Sequence, residues 1–310
     1  MTNTFIIIVS YNGMNWLSKC LESTKPHPVV VVDNNSTDGT TDFIKLNFPE
    51  TIILKQSENL GFGKANNVGI EYALSKGCDY VFLLNQDAYL GIDCIPELVE
   101  IHKKNPEYGI LSPIHLNGGG NRLDKMFSNY LGYESNCDFY SDFILNRKKR
   151  EIYDVPFVNA AGWLLSKACL ETVGGFDSLF VHYGEDENYC QRTHYYNFKI
   201  GVVPETFIYH DREDRLLAQK IKGNTEHFKR MEKDLKVEFG DINKTFDNKL
   251  NAVMRRRAFS KFKSYLKLSM KDARYYKQEY NMLKRIIPMI EESREINKNM
   301  NAAHLNTSLY

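Results

Sequence analysis

The chain has little net charge, no closely spaced cysteines and no long apolar run. Its 310 residues carry 40 Lys and Arg against 39 Asp and Glu, so we expect no nucleic acid among its partners. Its six cysteines include no Cys-x-x-Cys pair and none of the spacings of a zinc site or disulfide scaffold, which indicates reduced thiols and a cytoplasmic location. No apolar run approaches the roughly 20 residues that span a bilayer, and the first residues lack the basic flank of a signal peptide.

What the sequence does contain is an alternation of strand and helix patterns. Continuous apolar runs at residues 5–9, 29–32, 52–54 and 80–84 are separated by segments with apolar residues at helical spacing. Such alternation is typical of an α/β fold with a mostly parallel central sheet and flanking helices. We therefore predict one α/β domain over residues 1–212.

Polar clusters follow these strands and should gather at one edge of the sheet. Asp33 comes directly after the run at 29–32, and Asn85, Gln86 and Asp87 come directly after the run at 80–84. In open α/β sheets, ligands bind beyond the carboxyl ends of the strands. A carboxylate beside an amide at such an edge could hold a divalent cation and a diphosphate, since hard cations prefer oxygen ligands shared with phosphates.

Two segments depart from the α/β pattern. Residues 118–154 lose their periodicity, which is typical of a functional loop that folds over a site. Residues 213–310 are rich in Lys, Arg, Glu and Tyr and predict a basic helical extension, with an apolar stripe at every fourth residue: Leu250, Met254, Ala258, Phe262 and Leu266. A basic amphipathic helix can rest on an anionic membrane, although charge runs are usually solvated faces. Peripheral contact with the cytoplasmic membrane is thus an expectation.

An ordered set of motifs resembles a known family. The motifs are residues 9–12 (VSYN), 32–39 (VDNNSTDG), 59–63 (NLGFG), 66–69 (NNVG), 85–87 (NQD), 161–163 (AGW), 174–177 (GGFD), 185–186 (ED) and His210. In this order they resemble the family 2 glycosyltransferases with the Rossmann-like GT-A fold, especially the bacterial rhamnosyltransferase-like branch. The resemblance implies inverting transfer from a nucleoside-diphosphate sugar to a hydroxyl acceptor, with a divalent cation.

The nucleotide-sugar site follows from these motifs, with structural alternatives left open. Asp33 could accept the N3–H of uracil or thymine, or it could begin a turn, as Asx residues often do. Gly61 and Gly63 could admit a ribose or phosphate, or they could serve tight helix packing. Their segment also resembles a dinucleotide fingerprint but lacks its third glycine. Trp163 could form the wall of the sugar pocket or a core aromatic. The full set of expected contacts is Ser10, Tyr11, Asp33, Asn35, Asn59, Gly61, Gly63, Asn66, Asn85, Gln86 and Trp163.

The resemblance also assigns the metal ligands and the catalytic carboxylate. Asp87, assisted by Asn85 and His210, would bind Mg²⁺ or Mn²⁺, although a single His at a strand end is more often structural. The family commonly has Asp where this chain has Asn85, so weaker metal binding is expected. Asp186 would be the general base, with Glu185 supporting it, because an inverting displacement needs a carboxylate opposite the leaving group. Acids at a helix start are also favoured by the helix dipole alone.

The predicted function is transfer of a sugar, from dTDP-rhamnose or a UDP-hexose, to a glycan or lipid-linked saccharide in cell-surface polysaccharide synthesis. One alternative is a catalytically inactive module that only binds nucleotide sugar or glycan. Another is a nucleotidyltransferase, which normally has a Gly-rich basic loop after its first strand. Residues 10–13 (SYNG) contain no Lys or Arg, which argues against that second alternative.

Overall fold

The computed structural model describes residues 2–181, 183–212, 223–245, 249–299 and 303–305. The chain divides into two compact units, one of Met1–Arg215 with Met300–Tyr310 and one of Leu216–Asn299. The sequence predicted an α/β domain over residues 1–212 and a helical extension over residues 213–310. Residues 303–305, however, pack with the first unit: the Gly175 N–H donates to the Ala303 carbonyl at 2.8 Å, and Leu305 contacts the core of that unit.

The first unit is built on one mixed sheet. Its described strands are β1 (Thr4–Ser10), β2 (Val29–Asp33), β3 (Ile52–Lys55), β4 (Tyr80–Asn85), β5 (Ala88–Leu90), β6 (Tyr108–Asn117), β7 (Tyr153–Asp154), β8 (Gly162–Ser166) and β9 (Lys199–His210). Their order is β3-β2-β1-β4-β8-β6-β9-β5, with β7 paired to β9. The half formed by β3, β2, β1 and β4 is parallel, as predicted, whereas β8 runs antiparallel to both β4 and β6.

Helices cover both faces of this sheet. They are α1 (Met14–Ser23), α2 (Thr40–Asn47), α3 (Phe62–Ser75), α4 (Cys94–Lys104), α5 (Lys125–Tyr130), α6 (Cys137–Ile144), α7 (Lys167–Val173) and α8 (Glu185–Tyr195). Strand β1 shows why two layers form, because successive side chains of a strand point to opposite faces. Ile7 packs in the cluster that contains Ile70 of α3, whereas Ile6 and Ile8 pack in the cluster that contains Leu17 of α1.

The segment at residues 118–154 is more ordered than its sequence pattern suggested. It contains the short helices α5 and α6, and each begins at a side-chain cap. The Asp124 carboxylate accepts from the N–H groups of Met126 and Phe127, and the Asn136 amide oxygen accepts from those of Asp138 and Phe139. These caps satisfy N–H groups that a helix start leaves unpaired. Helices of six and eight residues are too short to give a clear apolar period in the sequence.

The second unit is helical, with α9 (Thr225–Gly240), α10 (Lys249–Leu266) and α11 (Met270–Asn297). The predicted stripe on α10 is correct only at its start: Leu250 is fully buried, but Phe262 and Leu266 are exposed. Steps of four residues advance about 40° around a helix, so the fifth member of the stripe lies about 160° from the first. Over the described residues, no helix has the length and apolar character needed to span a bilayer.

Candidate active site

The carboxyl ends of β1, β2 and β4 meet at one edge of the sheet, as the sequence predicted. In the register of the sheet Ser10 lies beside Asp33, and Val9 lies beside Asn85. Gln86, which follows β4, is hydrogen bonded to the end of β1: its Oε1 accepts from the Ser10 hydroxyl and from the Tyr11 N–H, both at 3.0 Å. Ser10 and Gln86 therefore hydrogen bond to each other, and Tyr11, 47% exposed, is the open member of the group.

The end of β2 forms a turn around a buried carboxylate. Both Asp33 oxygens accept from the Ser36 N–H at 3.3 Å, which is the Asx-type turn that the sequence left open as an alternative. Asn35, which precedes Ser36 in this turn, is exposed and has a left-handed backbone conformation (φ 66°). The turn and a nucleotide contact are compatible, because a carboxylate has about four acceptor sites.

A second loop is joined to this turn through Asn34, which the sequence did not single out. The buried Asn34 amide donates to the Asn59 Oδ1 at 2.9 Å and accepts from the Leu60 N–H at 2.8 Å. The Asn59 Oδ1 also accepts from the Gly61 N–H, while the rest of Asn59 is exposed. The loop at 59–61 is thus fixed beside Asp33 before any ligand binds.

The glycines of this loop approach the protein's own chain. A Cβ on Gly61 would stand 2.3 Å from the Val181 carbonyl oxygen, and a Cβ on Gly63 would stand 2.9 Å from the Phe176 Cβ. Gly61 also has φ +80°, a conformation that favours glycine. Tight packing, the alternative stated above, therefore accounts for both glycines. It brings the segment that leads into α8 against the loop at 59–61.

Trp163 and Asn66, two of the expected contacts, are buried by packing within the protein. Trp163 is fully buried, with its ring stacked on Phe176 at a centroid distance of 6.1 Å. It belongs to the core, which is the second of the two alternatives stated above. Asn66 is buried too, and its amide donates back to the Phe62 carbonyl of its own helix at 3.0 Å. The burial of Trp163 and Asn66 could not be predicted from the sequence, because each residue lies within one of the family motifs.

The expected metal ligands come together. Antiparallel pairing of β5 with β9 sets Ala88 opposite His210, so the preceding Asp87 lies beside the end of β9. The His210 Nε2 lies 3.4 Å from the Asp87 Oδ1 and 3.5 Å from the Asn85 Nδ2. Both Asp87 and His210 are almost fully buried. A carboxylate oxygen and an imidazole nitrogen at this separation have the spacing of two ligands on one cation.

Asp124 and Arg212 complete this cluster, and neither was predicted. The Arg212 guanidinium donates to both Asp124 oxygens, at 2.8 and 2.5 Å, and the Asp124 Oδ2 lies 3.8 Å from the His210 Nδ1. Burial acts to raise the pKa of Asp124, but the hydrogen bonds and charge of Arg212 outweigh it and leave the pKa below its usual value. His210 therefore lies between two carboxylates, one on each side of its ring.

Asp186, in the first turn of α8, has the properties of a base. Its carboxylate is partly buried and accepts from the N–H groups of Glu187, at 2.9 Å, and of Ala160. Burial, and then the negative charge of Glu187, raise the pKa of Asp186 from 3.8 to about 6. Such a carboxylate is ionised at neutral pH, yet basic enough to accept a proton from a hydroxyl. Glu185, the preceding residue, is buried.

One short backbone segment connects Asp186 with the metal-ligand candidates. The Ala160 N–H donates to Asp186, and the carbonyl of the next residue, Ala161, accepts from the Asn85 N–H at 3.1 Å. Burial, and then the charge of Asp186, raise the pKa of Tyr130, while Arg212 acts in the opposite direction. Residues 160–161 thus contact both Asp186 and the residue that begins the metal-ligand motif.

The residues at this edge fit a divalent cation with few protein ligands. Within the described ranges, no group of three or more His, Cys, Asp and Glu side chains is arranged to hold a metal. Mg²⁺ is usually bound by one or two carboxylates together with substrate phosphates and water. Asp87 and His210, with the neutral Asn85, match that pattern better than a cage formed by protein ligands alone.

Comparison with solved structures identifies the fold. The fold is similar to that of S. aureus TarS 1-349 in complex with UDP-GlcNAc, with TM-score 0.54 and 16% identity, over 95% of this chain and 88% of that chain. It is also similar to GalNAc-T7 with UDP, GalNAc and Mn²⁺, with TM-score 0.54 and 13% identity, over 76% of this chain and about half (48%) of that chain. The predicted fold is confirmed: it is the GT-A fold of glycosyltransferases.

Sequence comparison then gives the family. The sequence model of glycosyl transferase family 2 matches residues 5–174, more than half of the chain. The protein belongs to glycosyl transferase family 2.

Two curated relatives indicate its branch. The dTDP-rhamnosyl transferase RfbF of Shigella flexneri is 24% identical over 221 residues, which are 69% of this chain and 71% of that protein. The N-acetylglucosaminyl-diphospho-decaprenol L-rhamnosyltransferase of Mycobacterium tuberculosis is 27% identical over 232 residues, 67% of this chain and 75% of that protein. The chain is thus a glycosyltransferase of the rhamnosyltransferase-like branch, as predicted, and it catalyses nucleotide-sugar-dependent glycosyl transfer.

Proposed function

We propose that this enzyme transfers a sugar, with inversion at the anomeric carbon, from a nucleoside-diphosphate sugar to a hydroxyl of a glycan or lipid-linked saccharide. The lead donor is dTDP-rhamnose, which the name of the Shigella relative supports, and a UDP-hexose is second. The name of the mycobacterial relative supports a lipid-diphosphate-linked acceptor. Because such an acceptor lies in a membrane, the proposal includes peripheral contact with the inner face of the cytoplasmic membrane.

The observation that carries the proposal is the position of Asp186. Its carboxylate contacts the backbone of Ala160, the residue before the one whose carbonyl accepts from the Asn85 N–H, and its pKa is raised to about 6. An inverting displacement needs a base on the face opposite the leaving group. In the proposed step, the acceptor oxygen forms a bond to the anomeric carbon while the bond from that carbon to the diphosphate oxygen breaks. Asp186 takes the hydroxyl proton, and the nucleoside diphosphate leaves with the electron pair.

The donor would lie along the edge formed by β1, β2 and β4. In this proposal Asp33 accepts from the N3–H of uracil or thymine, and the Tyr11 ring, which is exposed, stacks on the base. Asp87 and His210, with Asn85, would hold Mg²⁺ or Mn²⁺ beside the diphosphate. When bound, the cation neutralises charge on the leaving group.

A donor panel tests this proposal. The full chain is incubated with dTDP-rhamnose, UDP-glucose, UDP-galactose and UDP-GlcNAc, with Mn²⁺ or with EDTA, and nucleoside-diphosphate release is measured. We expect release from at least one donor, stimulated by Mn²⁺, and loss of the stimulation in Asp87→Asn. Thermal stabilisation by a donor without any release, even when saccharide acceptors are added, would instead identify an inactive binding module.

A further inference from the structure

One side of α10 presents large apolar side chains to solvent. Phe259 is 65% exposed, Leu266 is 70% exposed, and Phe262 lies between them at a spacing that places all three on one side of the helix. The turn that follows adds Leu268, 87% exposed, and the exposed Met270 at the start of α11. We call these five residues the α10 face. The opposite side of α10 is packed, with Leu250 and Ser264 buried.

The α10 face is bordered by positive charge. The sequence of α10 contains six Lys and Arg residues and no Asp or Glu. Arg257 is used in packing, since its Nε lies 2.8 Å from the Glu279 Oε1 of α11. The cations adjacent to the α10 face, Arg255, Arg256, Lys263 and Lys267, are exposed and form no ion pair with any described residue.

We propose that the α10 face docks on the surface of an anionic lipid bilayer. An interfacial helix buries an apolar side at the headgroup boundary while its cations contact anionic headgroups, and α10 provides both in one place. Each cation near such a surface strengthens binding about fivefold, so the four bordering cations together contribute a factor on the order of 10² to 10³.

The same observations disfavour a second copy of the chain or a nucleic acid as the occupant. A two-fold dimer through the α10 face would place its unpaired cations near their own copies, because such an interface uses the same patch twice. Nucleic acid would use the cations but not a centre of Phe259, Phe262 and Leu266, since contact with the phosphate backbone is electrostatic. A lipid surface can contact both the apolar centre and the positively charged border of the α10 face.

The biological role of this docking rests on the proposed function, because docking would hold the enzyme at the surface where it meets a lipid-linked acceptor. The binding itself is independent of turnover. Loss of vesicle binding and loss of donor turnover are therefore separate results: an inactive protein that binds vesicles refutes only the proposed sugar transfer, and an active protein that does not bind them refutes the docking and the proposed membrane contact but not the sugar transfer.

Co-sedimentation of the full chain with vesicles tests the docking. The vesicles are pure phosphatidylcholine or phosphatidylcholine mixed with phosphatidylglycerol. One variant carries Phe259→Ser, Phe262→Ser and Leu266→Ser, and a control variant carries Leu46→Ser and Ile92→Ser, which change exposed apolar residues of the first unit. We expect the wild type and the control to bind the anionic vesicles, and the triple variant to bind at least tenfold more weakly.

A variant that removes the four bordering charges provides a second and independent test of the docking. The variant Arg255→Gln, Arg256→Gln, Lys263→Gln, Lys267→Gln should bind anionic vesicles more weakly by a factor on the order of 10² and should hydrolyse donor in the absence of lipid as the wild type does. The inference is overturned if the wild type does not bind anionic vesicles, or if both variants bind them as the wild type does. It is also overturned if light scattering shows a dimer that the triple variant dissociates, since the α10 face would then be a contact between two copies.

Discussion

Replacement of Asp186 by Asn should slow the enzyme severely and at the same time stabilise its fold at neutral pH. The two effects have one cause. The site holds an ionised carboxylate in a partly buried position beside Glu187, which raises the pKa of Asp186 from 3.8 to about 6. The folded protein therefore pays a free-energy cost to keep this group charged, and Asn removes that charge while preserving the shape of the side chain.

The magnitude follows from the pKa. At 1.36 kcal/mol per pKa unit, a rise from 3.8 to about 6 corresponds to a cost of about 3 kcal/mol at neutral pH. Because the folded state binds this proton more tightly than the unfolded state, the stability that Asp186 contributes is present below about pH 4 and is lost as the pH rises through about 6. Asn keeps one acceptor oxygen for the Glu187 N–H but loses the other, so we expect a net gain of about 1–2 kcal/mol.

The assay pairs urea denaturation with initial rates. The variant should exceed the wild type in unfolding free energy near pH 8, and the difference should shrink toward about pH 4. Its turnover should fall by a factor on the order of 10² to 10⁴, the usual contribution of a general base. In the wild type, kcat/KM should decline below about pH 6 as Asp186 is protonated.

Glu187→Gln is the matched control. It removes the second cause of the raised pKa, so it should keep the enzyme active and move the acidic limb of the kcat/KM profile to lower pH. The reasoning is refuted if Asp186→Asn retains wild-type turnover, or if it destabilises the fold near pH 8 as much as at low pH.

Three further changes probe the surroundings of the site. Gly61→Ala should cost at least about 1 kcal/mol more than Gly39→Ala in urea denaturation and also slow turnover, because Gly61 (φ 80°, ψ 176°) has a conformation that essentially only glycine adopts, whereas Gly39 (φ 86°, ψ 6°) is left-handed helical, and because only at Gly61 does a Cβ meet the Val181 carbonyl. Burial lowers the pKa of His304 to about 4, so this group makes the fold lose stability as the pH falls from 6.5 toward 4, and thermal melts of His304→Gln should show less of that loss. Asp124→Asn should cost about 3 kcal/mol in urea at neutral pH, because it leaves a guanidinium without its carboxylate, and equal stability of variant and wild type would contradict that role.

The sequence predicted the sheet edge because the signals there are local. Strands β1, β2 and β4 are continuous apolar runs, and the polar residues that follow them must share an edge if the strands are parallel. Asp33 could therefore be placed at the same edge as Asn85 and Asp87 from sequence alone. Placing His210 beside them required the family resemblance, since the pairing of β5 with β9 leaves no local pattern.

The rest of the site depends on contacts between distant segments. Asp124 and Arg212 are 88 positions apart, and Asp124 lies in a segment without periodicity. The Asn34 amide joins two loops through hydrogen bonds that no composition or spacing reveals. The burial of Trp163 likewise depends on its stacking with Phe176, which arrives from another part of the chain. The stripe on α10 was wrong for a geometric reason, since a strict repeat of four residues turns around the helix.

The central claim is that one space is bordered by a diphosphate-binding cluster on one side and by a base on the other. Anomalous diffraction from crystals grown with Mn²⁺ and either UDP or dTDP tests it most directly. The account predicts a Mn²⁺ peak about 2.2 Å from the Asp87 carboxylate, a base beside Asp33, and the Asp186 carboxylate across the open sugar position from the diphosphate. A nucleotide bound elsewhere on the protein, or one with its diphosphate remote from Asp87 and His210, would contradict it.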